Sequence, residues 1–246
     1  THTHTDNNRM IITVEGNIGS GKSTLVKNLK EHLAEQGVPY VFVQEPVDIW
    51  ATICDRDGEP ILTKFYRDQE RYSFSFQMMA YISRLSILRK AVKTNPDAVI
   101  ITERCVHTDR NVFAKMLYDD GKIMDTDYAI YLRWFDEFIE DVPIHGYVYL
   151  KTDAEVCSTR VQKRAREGES IPLEYLQNCG KYHNEWLDTI DSEKKVIIDG
   201  NTDVEKTPTI ITQWVYTIHG WILNEMQKEL RKKYVNVERA PLNFIV

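Results

Sequence analysis

One stretch of this chain carries residues whose types and spacing suit the chemistry of phosphate. Gly16-Asn17-Ile18-Gly19-Ser20-Gly21-Lys22-Ser23 follows the pattern G-x-x-x-x-G-K-[ST]. Glycines allow a main chain to wrap closely around phosphate oxygens, and the start of a following helix aims unpaired N–H groups at the anion. In such a loop Lys22 would bridge the outer phosphates of a nucleoside triphosphate, and Ser23 would offer its hydroxyl to Mg²⁺. Average composition gives a chance match in a chain of this length roughly once in a hundred, so a plain Gly-rich turn explains the run poorly. The guanine-reading pattern N-K-x-D is absent from the sequence, which argues against a GTPase switch.

Acids and cations elsewhere extend this chemistry. Glu45 and Glu103 each end an expected strand, and ligands in open parallel sheets gather outside the carboxyl ends of the strands. A carboxylate there could hold Mg²⁺ or accept a proton from an attacking hydroxyl. On position alone, two ordinary surface acids remain an open reading. Arg160, Arg164 and Arg166 crowd the end of an expected helix before Glu167-Gly168-Glu169. Arg160 and Arg164, four apart, share one helical face and could clamp a transferring phosphoryl group, although a solvated face is also open. Gln77 and Arg84 lie two helical turns apart on one face.

The elements that must position these groups alternate along the chain. Short apolar runs at 10–14, 40–43, 98–102, 147–150 and 196–198 read as strands. Helical patterns fill 22–36, 68–93, 109–118, 125–140, 154–166 and 173–190, with Gly37 expected to close the first of them. A last helix is expected from a Thr207 cap and Pro208 at its first position, continuing toward Lys233. Strands alternating with helices imply an α/β fold whose parallel sheet is covered on both faces. No repeat or Ser/Gly linker divides the chain.

The 246 residues carry a net charge of −6, so the broad basic field of a nucleic-acid binder is missing. No window approaches the roughly 18 apolar residues of a membrane span. Four scattered cysteines, without a C-x-x-C pair, suit free thiols in a reducing compartment, and the cytoplasm is the expected location. Residues 1–8 read as a disordered polar arm. Residues 224–246 hold Met226, Leu230, Val235, Val237, Leu242, Phe244, Ile245 and Val246, too apolar for a solvated tail.

With these pieces together, residues 9–223 resemble the deoxynucleoside kinase family, which includes deoxycytidine and deoxyguanosine kinases. Beyond the phosphate loop, Glu45-Pro46-Val47-Asp48-Ile49-Trp50 resembles that family's E-P-V-x-x-W segment. Arg71-Tyr72-Ser73-Phe74-Ser75-Phe76-Gln77 resembles its R-[WY]-[SA]-F-x-F-Q helix. Glu103-Arg104-Cys105-Val106-His107-Thr108-Asp109-Arg110 resembles E-R-S-V-x-S-D-R, and Arg160 to Arg166 followed by Ile171-Pro172-Leu173-Glu174-Tyr175-Leu176 resembles the Arg-rich lid and its next helix.

The resemblance implies a P-loop kinase fold with a five-stranded parallel sheet, and ATP-dependent phosphorylation of a deoxynucleoside 5′-hydroxyl. It implies Glu45 as general base, Arg104 beside the hydroxyl, and Ser23 with Glu103 on Mg²⁺. ATP would meet residues Gly16 to Ser23, Thr24, Arg160, Arg164 and Asp203, with Arg164 and Arg166 closing over the phosphates. Tyr66 and Glu169 would bind the sugar 3′-hydroxyl. Trp50, Leu62, Phe65, Phe76 and Ala80 would wall the base, with Gln77, Arg84 and Asp109 reading its edge. An Arg84–Asp109 pair would crowd a thymine methyl, so a purine is expected, deoxyadenosine first, with deoxycytidine or broad specificity as the alternative. A monophosphate kinase and a non-catalytic assembly subunit are more distant readings. The family also implies a homodimer, which residues 224–246 could extend to a tetramer.

Three departures stand out. Cys105 replaces the usual Ser, the lid is one residue shorter before Ile-Pro, which bears on choosing Glu169 over Glu167, and the chain runs about twenty residues past the expected end of the family pattern.

Overall fold

The structure, a computed structural model, describes residues 10–165, 169 and 171–238. The five apolar runs form one sheet: β1 Ile11–Glu15, β2 Tyr40–Val43, β3 Val99–Glu103, β4 Gly146–Lys151 and β5 Lys195–Asp199. Its order is β2-β3-β1-β4-β5 and every neighbouring pair is parallel. Parallel neighbours need crossovers, and helices supply them. Helices α1 Lys22–Leu33, α2 Val47–Thr52, α3 Ile61–Arg67 and α4 Gln69–Thr94 precede β3 or flank β2. After β3 come α5 Val106–Thr108, a π-helical turn Asp109–Ala114, α6 Lys115–Asp119 and α7 Asp125–Phe138. Helices α8 Ala154–Arg164 and α9 Leu173–Asp188 lie between β4 and β5, and α10 Thr209–Glu238 follows.

Alternation along the central strands serves two cores. Ile12, Val14, Ile101, Val148 and Leu150 face Leu25 and Leu29 of α1 and Ile218 and Ile222 of α10. Ile11 and Ile100 face the opposite way, against Tyr81, Leu85 and Leu88 of α4 and Tyr131 and Phe135 of α7. Burial of a side chain such as Ile218 or Ile222 contributes about 1.5–3 kcal/mol. Gly146 sits where a Cβ would lie 2.4 Å from the Trp221 ring, so α10 packs flush against β4.

The sequence pattern misplaces several boundaries. Helix α1 stops at Leu33, so Gly37, at φ +70°, turns the loop beyond it instead of capping it. The expected helix 109–118 divides, because its register passes through the π-helical turn. Helix α8 ends at Arg164, with Ala165 at φ +46°. Helix α10 begins at Thr209, one residue after the expected start, and passes Leu223 without a break, with Met226 packed on the α1–α10 core. Helices α2 and α3 have six and seven residues, too few to show a period. The expected N-terminal arm, Arg166, Glu167 and the apolar residues Leu242 to Val246 lie outside the described residues. Among the described residues no helix is long and apolar enough to cross a membrane.

Candidate active site

The glycine-rich turn joins the buried end of β1 to α1, and its close packing explains its composition. Gly19 has φ +79°, and a Cβ there would lie 2.5 Å from the Cys157 carbonyl oxygen. Asn17 braces the loop from behind: its Nδ2 donates to the Leu176 carbonyl of α9 at 2.7 Å, and its Oδ1 accepts from the Ile18 N–H at 2.8 Å. Lys22 is buried and its Nζ donates to the Asn17 carbonyl at 2.7 Å. Burial, and then the neighbouring charge of Arg104, lower its pKa to about 8. Arg160 reaches across from α8, donating to the Ser20 carbonyl at 2.9 Å and the Thr202 carbonyl at 3.1 Å. It ties the loop to the segment that carries Asp203.

At the carboxyl ends of β2 and β3 four charged side chains interlock. Arg104 Nη1 donates to both Glu45 oxygens, at 2.7 and 2.9 Å, and Arg84 Nη2 donates to Glu45 Oε1 at 2.9 Å. Arg84 also holds Asp109 through two bonds of 2.8 and 3.2 Å, and its Nη1 reaches the Glu103 carbonyl at 3.2 Å. Burial would raise the Glu45 carboxyl, but the charges of Arg104, Arg84 and Lys22 outweigh it and hold the group well below the usual carboxylate range. For Asp109 burial prevails, reinforced by the Glu45 charge, and its pKa rises despite Arg84. The Arg104 guanidinium lies over the Phe113 ring at 5.0 Å, and its Nε–H has no partner among the described residues. Ser23 Oγ donates to Glu103 Oε1 at 2.9 Å.

Beyond this cluster the wall becomes apolar, built from α2, α3 and α4. Phe65 and Phe76 stack at 4.6 Å, and Trp50 meets Phe76 edge-on at 5.5 Å. The Trp50 indole N–H donates to Ser83 Oγ at 2.9 Å, which fixes the ring. Gln77, buried on the same wall, presents an amide oxygen with no partner among the described residues. Burial, then the nearby Glu169, raise the Tyr66 phenol above its ordinary pKa, so it stays protonated. Glu169 is paired with Arg164.

One cavity of 830 Å³ joins both halves, with Glu45, Arg84 and Arg104 at the seam. Leu62, Phe65, Tyr66, Phe76, Ala80, Asp109 and Glu169 line the apolar half. Lys22, Ser23, Thr24, Arg160, Arg164 and Asp203 line the other. Gly16 and Asn17 stand behind the loop and off the wall, where they accept from Arg104 and Lys22. Gln77 and Arg84, on one face of α4, are both buried and both line this cavity. Sequence reasoning missed Phe113, Tyr175, Ile211 and Trp214, which also line it. Phe113 stands four residues after Asp109, a spacing that could have found it; Trp214 reads as core from its helical period, which it also is.

A family model described as "Deoxynucleoside kinase" matches residues 12–220. "Deoxycytidine kinase 2" of Gallus gallus is 34% identical, over 72% of this chain and 73% of that protein. "Deoxycytidine kinase" of Homo sapiens is 34% identical, over 72% and 74%. "Thymidine kinase 2, mitochondrial" of Homo sapiens is 34% identical, over 73% of this chain and 64% of that protein.

Proposed function

The chain belongs to the deoxynucleoside kinase family and is an ATP-dependent deoxynucleoside kinase; on that premise we propose how its residues carry the reaction. The observation that carries the reading is the Glu45 carboxylate, held between Arg104 and Arg84 where the phosphate half of the cavity meets the apolar half. There Glu45 orients the nucleoside 5′-hydroxyl and takes its proton, and the free Arg104 Nε–H is available to the same oxygen. A strongly ionised carboxylate is a weak base, but phosphoryl transfer is loose and the hydroxyl becomes acidic only as its bond to phosphorus forms. Lys22 and the loop N–H groups hold the triphosphate, with Arg164 and Arg166 completing the clamp. The paired oxygens of Ser23 and Glu103 are hard donors that fit Mg²⁺, whose chemistry would be to neutralise the outer phosphates. Tyr66 and Glu169 receive the sugar 3′-hydroxyl.

The base edge is read by Gln77, Arg84 and Asp109. Both Asp109 oxygens already act as acceptors toward Arg84, so Asp109 suits an exocyclic amino group, and Gln77 offers an unpaired amide oxygen on the same wall. Adenine and cytosine carry that amino group where guanine and thymine carry a carbonyl, and the thymine methyl would also meet the Arg84–Asp109 pair. We therefore propose deoxyadenosine as the preferred substrate. The names of two relatives favour deoxycytidine as the second reading. Measuring kcat/KM with ATP-Mg²⁺ and each of the four deoxynucleosides tests this: deoxyadenosine should lead with deoxycytidine next, and Arg84→Met with Asp109→Ala should raise thymidine use. Thymidine or deoxyguanosine as the best substrate of the native protein would overturn this base reading, and deoxycytidine as the best would replace deoxyadenosine by the second reading.

A homodimer is supported by Ile82, Ile130 and Trp134, which leave an apolar face of α4 and α7 about half exposed. The segment beyond Leu223 extends this dimer to a tetramer. In light scattering, Trp134→Asp should lower the subunit number, and truncation after Leu223 should reduce a tetramer to a dimer. An unchanged mass in either variant removes the corresponding interface. Free cysteines at 54, 105, 157 and 179 suit a reducing compartment, and we place the enzyme in the cytoplasm.

A further inference from the structure

Glu15 is a fully buried acid that the proposed reaction does not use. It ends β1, one residue before the glycine-rich turn, and its partners are two threonine hydroxyls. Thr13 Oγ1 donates to Oε1 at 2.6 Å, and Thr108 Oγ1 donates to Oε2 at 2.7 Å. The Thr108 hydroxyl also accepts from the Cys105 N–H at 3.2 Å, so it joins Glu15 to the residue immediately after Arg104. Arg104 itself has φ +60°, a left-handed backbone that a side chain with a Cβ adopts only under constraint. Its N–H donates to the Val14 carbonyl at 3.0 Å, and its carbonyl accepts from Thr102 Oγ1 at 2.8 Å. Thr13 and Thr102 are register partners on β1 and β3.

We infer that Glu15, Thr108 and Thr102 are positioning residues, holding the left-handed turn at Arg104 that brings its guanidinium onto Glu45. Regular continuation of β3 would carry the Arg104 side chain along the pleat instead of toward the seam of the cavity. The constraint comes from both sides: Thr102 grips the carbonyl that follows the turn, and the Glu15-bound hydroxyl grips the next N–H. Cys105 in place of the family's Ser leaves this intact, because the N–H of that residue makes the bond. All the groups lie at most 5% exposed, so no solvent replaces a lost partner.

This inference rests on the Arg104–Glu45 reading above, and the test separates the two. Thr108→Val keeps the shape but leaves Glu15 Oε2 and the Cys105 N–H unpaired, whereas Thr108→Ser keeps the hydroxyl. We expect T108V to lower kcat by about ten- to a hundredfold through misplacement of Arg104, with both KM values within about twofold. T108S should return kcat to within about threefold of the native enzyme. If T108V does not fold, Thr102→Val supplies the same reading from the other side of the turn. A folded variant with native kcat, a change in KM alone, or no rescue by serine overturns the positioning role. Glu45→Gln is assayed alongside: if it is slow while T108V is native, only the positioning role falls, and if it is fast, the Arg104–Glu45 reading falls too.

Discussion

Replacement of Glu45 by glutamine is expected to lower kcat by a factor of order 10²–10⁴, the usual worth of a positioned proton acceptor. The amide keeps the size of the side chain and can still accept from Arg104, but it cannot take the hydroxyl proton. Its loss of charge also leaves Arg84 and Arg104 with fewer counter-charges, so the melting temperature should fall and assays belong well below it. The pH profile offers a second check on the native enzyme. A carboxyl whose folded pKa is depressed stays ionised until the pH falls through that low value. Down to about pH 4, therefore, kcat/KM should show no acidic limb from Glu45, whereas an ordinary glutamate, with a pKa of about 4.3, would already be more than half protonated there. A folded E45Q enzyme with near-native kcat removes Glu45 as the base.

Lys22→Ala is expected to lower kcat/KM by about 10²–10³, with nucleoside binding retained. The ammonium group is buried at the glycine-rich turn, where charge developing on the phosphates meets little screening from water. Nothing on the apolar wall depends on it, because Phe65, Phe76 and Gln77 stand on α3 and α4. Equilibrium binding of the nucleoside should therefore stay within about threefold of native while ATP-dependent turnover collapses. Burying a lysine costs solvation, as its lowered pKa shows, so the variant should unfold no earlier than the native chain. Native turnover in K22A would exclude Lys22 from phosphate stabilisation, and a matching loss of nucleoside affinity would point to a disrupted cavity instead.

The parts of this protein written in local pattern were legible from the sequence alone. Residues 16–23 could be placed between a strand and a helix because glycine spacing and apolar runs are properties of neighbours in the chain. The same holds for the five strands, the parallel α/β class, and Glu45 and Glu103 at strand ends. Helices α2 and α3 escaped because six or seven residues carry no period, and they take their form from packing Trp50 and Phe65 against α4. The division of Arg84 between Glu45 and Asp109 joins residues 39 and 25 positions apart, and no spacing rule reaches so far. Glu15 reads locally as the polar end of a strand. Only the approach of Thr108, 93 residues away, makes it the anchor of a strained turn, because burial and hydrogen-bond partnership are set by the whole fold and by no segment of it.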